Sequence, residues 1–156
     1  MTNVTSTTTV CAPDLSERPL QLTVERTMSA SPRVLYRAWT EHMDRWFAHP
    51  GSVLMMAEVN KPFFFETMYN NRRSPHYGRF LRLDADRLVE LTWVTGAGGT
   101  EGAETVVTVA LTPVRSGAHL RLTQSGWPNE QSRDRAAAAW SLVLAQLDER
   151  MAVEQG

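Results

Sequence analysis

The chain has 156 residues, of which 42% are hydrophobic and 21% charged, with a formal net charge of −1. That size suits one globular domain with a substantial core. The near-neutral balance excludes a global electrostatic pull toward nucleic acid or anionic lipid. No apolar run is long enough to span a bilayer as a helix. The single cysteine, Cys11, has no internal disulfide partner and belongs to no metal-spacing motif. The N-terminus shows neither the basic nor the apolar stretch of a secretory signal, which points to the cytoplasm.

Residues 1–18 are rich in Thr and Ser and poor in large apolar groups, and read as a disordered tail; residues 19–156 read as a single domain. Residues 20–27 alternate, with Leu20, Leu22 and Val24 on one face, as in a half-buried strand. Ser31-Pro32 opens a helix, Ser as cap and Pro at the first helical position, with Val34, Leu35, Ala38 and Trp39 as its apolar side. Thr40 is placed to cap a second short helix carrying Met43, Trp46 and Phe47.

From Ser52 onward the pattern is one of strands. Residues 52–59 form one and residues 63–69 the next, after a break at Asn60-Lys61-Pro62. A polar turn over residues 70–75 leads to a hairpin of residues 77–83 and 88–95. Residues 105–112 and 118–124 make another hairpin. Between the hairpins, the glycine-rich stretch 96–102 lacks the Lys-Ser ending of a phosphate-binding loop and leads into a strand, so it reads as a flexible hairpin tip.

The last element is a long helix from Asn129 to about Met151. Asn129 is its N-cap, and Glu130 and Asp134 lie near the positive end of its dipole. Ala136, Trp140, Val143, Leu144, Leu147 and Met151 form one stripe with the helical period. At roughly 34 Å, such a helix needs a broad partner surface. The expected architecture is α+β: a curved antiparallel sheet of about seven strands, two short helices after the first strand, and the long C-terminal helix across the concave face.

This order of elements, with several local words, resembles the SRPBCC (START-like, helix-grip) superfamily, and within it the family of homologues of the activator of heat-shock protein 90 ATPase. The words are Val24-Glu25-Arg26; Ser31-Pro32 followed by Val34-Leu35-Tyr36-Arg37-Ala38-Trp39-Thr40; Trp46-Phe47; Gly78-Arg79-Phe80-Leu81-Arg82-Leu83-Asp84 with Arg87-Leu88-Val89 and Thr92-Trp93; and Leu122-Thr123-Gln124-Ser125-Gly126-Trp127-Pro128 with Trp140. They cover residues 20–152. One departure stands out: where the family carries a Gly-Gly turn, this chain reads Pro62-Phe63, so the local turn is expected to differ.

The resemblance implies a cavity between the long helix and the sheet. The run Ala136-Ala137-Ala138-Ala139 would leave room over one end of the sheet, while Trp140, Val143, Leu144 and Leu147 fill the other; the same alanines also simply favour helix. Candidate wall residues are Met43, Phe63, Phe65, Tyr69, Tyr77, Trp93, Trp127 and Trp140, all equally suited to a plain core. Strand parity leaves open which face is concave, since Phe63 and Phe65 face one way and Phe64 and Met68 the other. Polar candidates are Glu66, His76, Arg79, Arg82, Arg121 and Gln124, with a Glu66–Arg79 cross-strand pair as the alternative role. The ligand-binding set is Met43, Phe65, Glu66, Tyr69, Tyr77, Arg79, Trp93, Trp127 and Trp140, with no catalytic residue selected.

No His pair or Cys spacing suggests a metal, and no nucleophile elbow or dinucleotide fingerprint is present, so no cofactor is expected. Three functions follow from the resemblance. The first is binding of a small hydrophobic or aromatic, lipid- or polyketide-like molecule. The second is a cyclase/dehydratase-like enzyme acting through acid/base groups in the cavity, without metal or nucleotide. The third is a co-chaperone role, stimulating the ATPase of a heat-shock chaperone. Neither nucleic acid nor membrane is an expected partner; a homodimer is compatible with all three.

Overall fold

The computed structural model describes residues 10–154. Its elements run β1 (Leu20–Met28), α1 (Pro32–Thr40), a single 3-10 turn (Met43–Arg45), β2 (Pro62–Tyr69), β3 (Arg72–Asp84), β4 (Leu88–Trp93), β5 (Thr105–Val114), β6 (Gly117–Trp127) and α2 (Glu130–Glu154). The strands form one antiparallel sheet in the order β1-β6-β5-β4-β3-β2. The helix-grip expectation holds, with six strands in place of seven.

The missing strand is residues 52–59. Leu54 exchanges both backbone bonds with Phe64, at 2.7 and 2.8 Å. The chain then tightens, Glu58 N bonding Met56 O at 2.8 Å, and turns in to bring Asn60 N onto Phe80 O at 2.8 Å. A single bridge on the outer edge of β2 is all the segment makes there before it leaves. Asn60 takes a φ of 68° at this turn. An asparagine thus supplies the left-handed residue two positions before Pro62, and no glycine is needed.

Two further expectations change. Thr40 does not cap a second helix: it is the last residue of α1, and its hydroxyl donates to Tyr36 O at 2.9 Å. Residues 41–47 accordingly hold only the 3-10 turn. The polar turn over 70–75 shrinks to Asn70-Asn71, with φ of 51° and 61°, the geometry that matches the twist of a two-residue hairpin. Ser74 and Pro75 therefore belong to β3, opposite Thr67 and Glu66. Pro75 lies beyond the last β3–β4 bridge, at Tyr77–Val94, so its missing N–H leaves no ladder bond unmade.

Helix caps follow the sequence closely. Ser31 Oγ accepts from Val34 N at 3.3 Å, and Asn129 Oδ1 from Ser132 N at 2.8 Å. Trp140, Leu144, Leu147 and Met151 of the α2 stripe are buried, with Ala136 and Val143 half-buried beside them. The stripe packs mainly on β1, with smaller contacts to α1 and β6. Asp148 ties the same helix to the β1–α1 corner: it accepts from Ser29 N at 2.9 Å, Ser29 Oγ at 2.8 Å and Arg26 Nε at 3.2 Å.

The inner face of the sheet is built from registered rows. Leu22, Gln124, Val107, Leu91 and Phe80 lie side by side across five strands. Two irregularities bend the sheet. Leu81 is an extra residue in β3 opposite β4, and Gly126 an extra residue in β6 opposite β1. Gly126 sits at φ 97° against the Leu15 side chain, where a Cβ would be both strained and crowded.

Residues 10–18, the described part of the expected tail, lie against the sheet. Arg18 donates to Gly126 O at 2.9 Å and Glu104 O at 2.8 Å, and Arg79 donates to Cys11 O. Residues 1–9 lie outside the described residues. Among the described residues, no helix is long and apolar enough to cross a membrane.

Candidate functional site

Aromatic side chains from four separate segments converge under α2. Trp93, at the end of β4, is the hub: its ring lies 5.4 Å from Trp140, 5.4 Å from His76, 5.7 Å from Phe65 and 6.0 Å from Phe47. Next to this cluster a cavity of about 190 Å³ opens between α2 and the β4–β5 end of the sheet. Its helix side is Ala136, Ala139, Trp140 and Val143; its sheet side is His76, Trp93, Gln124 and Trp127; Phe47 and the loop residues Thr95, Gly98, Gly99 and Thr100 complete it, with Arg135 at the rim. The alanine half of α2 leaves the space, and the tryptophans bound it.

The glycine-rich loop is braced. Thr95 N donates to Thr100 Oγ1 at 2.9 Å while Thr100 N donates to Thr95 Oγ1 at 2.8 Å. Arg135 of α2 reaches over to donate to Gly98 O at 3.0 Å and to Glu101 Oε1 at 3.1 Å. The tip expected to be flexible is thereby held against the helix, forming one wall of the cavity.

A polar chain runs behind the apolar wall. Trp140 Nε1 donates to Gln124 Oε1 at 2.7 Å, Gln124 Nε2 to Thr105 Oγ1 at 2.9 Å, and Thr105 Oγ1 to Trp93 O at 2.6 Å. Trp127 Nε1 donates to Gln124 O at 3.1 Å. Gln124 is 1% exposed in the middle of an apolar row, so this full pairing is what makes its burial tolerable.

His76 is the one ionisable group at the inner end. Its ring stacks on Phe65 at 4.9 Å and meets the edges of Phe47 and Trp93. Nδ1 lies 3.0 Å from Ser74 O. A carbonyl only accepts, so the ring proton resides on Nδ1 and Nε2 is a bare acceptor. Burial pushes the imidazole down to about 4, against the smaller upward pull of the Ser74 bond. The group is neutral at physiological pH.

Of the nine residues expected to bind ligand, Trp93, Trp127 and Trp140 line the cavity, and Phe65 lies one ring behind, under His76. The other five are placed elsewhere. Met43 is fully buried in the core. Glu66 faces outward, with Arg73 Nη1 rather than Arg79 at 3.5 Å. Arg79 donates to Asn60 Oδ1 at 3.3 Å on the outer face. Tyr77 shares that face, half exposed, and Tyr69 shares the parity of Phe65 but is 75% exposed because β2 runs past the core there. Among the polar candidates, His76 and Gln124 reach the cavity; Arg82 and Arg121 are exposed. Phe47, Thr95, Thr100 and the loop glycines carry no sequence signal as wall residues, since only the fold of the β4–β5 loop against α2 brings them there. Among the described residues, no group of His, Cys, Asp or Glu could hold a metal ion.

An antiparallel sheet gripping one long helix above an apolar cavity defines a helix-grip domain. The chain belongs to the family described as Activator of Hsp90 ATPase homolog 1-like protein, whose family model matches residues 29–152. Protein CV1439 from Chromobacterium violaceum is similar in structure, with a TM-score of 0.72 and 24% identity over 84% of this chain and 96% of that one. CalU16 from Micromonospora echinospora superposes with a TM-score of 0.63 at 20% identity over 86% of this chain and 78% of its own. The Aha1 dimer from Colwellia psychrerythraea, solved in solution, gives a TM-score of 0.63 at 18% identity, covering 88% of this chain and 99% of that one. At these identities the likeness is one of fold. No curated protein sequence matches the chain.

Proposed function

We propose that the domain binds a small, largely apolar, aromatic-sized molecule in the cavity between α2 and the sheet. The observation that carries this is the cavity itself: about 190 Å³, walled by Trp93, Trp127, Trp140 and Phe47, over a helix segment reduced to alanines. Such volumes bind benzene-sized guests when dry and apolar, as engineered cavities of about 150 Å³ do. Aromatic walls with few polar groups suit a hydrocarbon-like ring. A native mass spectrum of gently purified protein, followed by denaturing extraction, tests the reading. A co-purifying aromatic or lipid-like molecule supports it. An empty protein whose Trp resonances also fail to respond to millimolar 4-ethyltoluene would end it.

His76 supports a second reading, an acid/base enzyme of the cyclase type. A neutral imidazole with Nδ1 anchored and Nε2 bare has the geometry of a general base. Its value near 4 makes it a weak one, better matched to accepting a hydrogen bond than a proton. Turnover of a polyketide-like substrate that disappears in His76→Phe would favour the enzyme. The family description brings a chaperone-ATPase role, for which a pull-down with the chaperone is the test. The dimer named for the Colwellia relative makes homodimerisation a question for sedimentation.

A further inference from the structure

Resting on the cavity reading above, we propose that the cavity selects an uncharged aromatic alcohol, whose hydroxyl donates to His76 Nε2, over a hydrocarbon of the same shape. Most polar side-chain atoms around the cavity are already engaged within the protein: Thr95 Oγ1 accepts from Thr100 N at 2.8 Å. Gln124 is engaged at both ends of its amide, by Trp140 and Thr105. The indole N–H groups of Trp127 and Trp140 are both spent on Gln124. The Thr100 hydroxyl donates to Thr95 O at 2.9 Å and accepts from Thr95 N. Arg135 at the rim is bonded to Gly98 O and Glu101 Oε1, so an anion finds its nearest cation already engaged.

His76 is different. It is 8% exposed, its ring is fixed by Phe65, Phe47 and Trp93, and its proton is committed to Ser74 O. No donor among the described residues is bonded to Nε2. Nε2 is not sealed off: among the described residues the buried side-chain polar atom left without a partner is Trp39 Nε1, so water entering the cavity reaches Nε2, and a ligand that displaces this water without donating in its place costs free energy. A phenol-type ligand brings one donor on a flat apolar body, matching both the histidine and the tryptophan walls. A carboxylate would set its own lone pairs against Nε2, and a hydrocarbon would leave it dry. At about 190 Å³, the space accommodates a single ring with a short substituent.

The test is a pair of matched probes titrated into the full chain and followed by 1H–15N spectra: 4-ethylphenol, and 4-ethyltoluene, in which a methyl replaces the hydroxyl. We expect 4-ethylphenol to bind about tenfold tighter, although it is the less apolar of the two, and to move the His76 Nε2 resonance. In His76→Phe the order inverts while 4-ethyltoluene still binds, because the ring is kept and the acceptor is gone. Equal or tighter binding of 4-ethyltoluene to the native chain overturns the proposal and leaves the apolar cavity standing. If neither probe perturbs the Trp127 and Trp140 indole resonances, the cavity reading itself falls, and this inference with it. Should His76→Phe fail to fold, the ranking on the native chain and the Nε2 shift decide the matter alone.

Discussion

Trp140 Nε1 donates to Gln124 Oε1 at 2.7 Å, joining the middle of the long helix to the middle of the sheet through a bond sealed from water. Both partners are buried, so the bond sets the height and rotation of α2 over β6. Gln124→Leu should therefore cost roughly 2–3 kcal/mol, because it orphans the Trp140 N–H and takes the amide donor from Thr105. The double variant Gln124→Leu/Trp140→Phe should recover part of that loss, as a removed donor no longer needs a partner. Urea denaturation of the single and double variants measures both. A double variant no more stable than Gln124→Leu would show that the bond does not couple helix to sheet.

Ala136 holds the cavity open. Ala136→Leu should fill it, keeping stability within about 1 kcal/mol of the native chain, since the added carbons enter existing space. Affinity for 4-ethyltoluene should drop at least about tenfold, in line with the loss of a ring-sized site. Retained affinity would move the binding site away from α2.

His76 gives the protein a defined acid sensitivity. Its folded value of about 4 lies below the ordinary 6.5, because burial opposes the charged ring. The unfolded chain thus takes up a proton that the folded chain refuses. Stability from this group is fully present above about pH 6.5 and declines toward pH 4, at most about 1.4 kcal/mol per pH unit. In His76→Phe the slope across that window should flatten. Thermal midpoints recorded between pH 7 and 4 on both proteins check this; parallel curves would place the titration elsewhere.

Asp148 acts below that window. Burial raises its carboxyl, yet the Ser29 and Arg26 bonds outweigh burial and leave it under its ordinary 3.8. Its contribution is complete above the ordinary carboxylate range and is lost as pH falls through the lowered value. Asp148→Asn should cost about 1–2 kcal/mol at neutral pH, the scale of charge-assisted bonds at a half-exposed corner. Hydrogen exchange at the Ser29 amide should rise with it. An unchanged Ser29 amide would mean the corner is held by α1 alone.

Much of this was readable along the chain, wherever a residue's role depended on near neighbours. Ser31 and Asn129 cap as their positions imply, because a cap needs only an amide three residues on. The α2 stripe buries as its period requires. Thr40 misled because its hydroxyl had two partners to choose from and took the carbonyl four residues back. Residues 52–59 misled because an apolar run does not reveal whether a neighbouring strand lies beside it for one pair or for six. At the site, Trp93, Trp127 and Trp140 are the expected wall residues that line the cavity. Tyr69 and Tyr77 looked no different in the sequence, and only the end of the core and the outer face of β3 separate them.

The sequence by itself determined the order of the six strands and two helices that form, the caps at Ser31 and Asn129, the family and the presence of an alanine half and a tryptophan half on the last helix. Each of these is local, or is a pattern of period along one element. The tertiary structure alone decided which strand face became the inside. It also decided that Gln124 would be fully paired, that the glycine-rich loop would close against Arg135, and that His76 would be left with one bare nitrogen beside the cavity. Those outcomes depend on register across five strands and on bulges at Leu81 and Gly126, which set residues far apart in the chain within ångströms of one another.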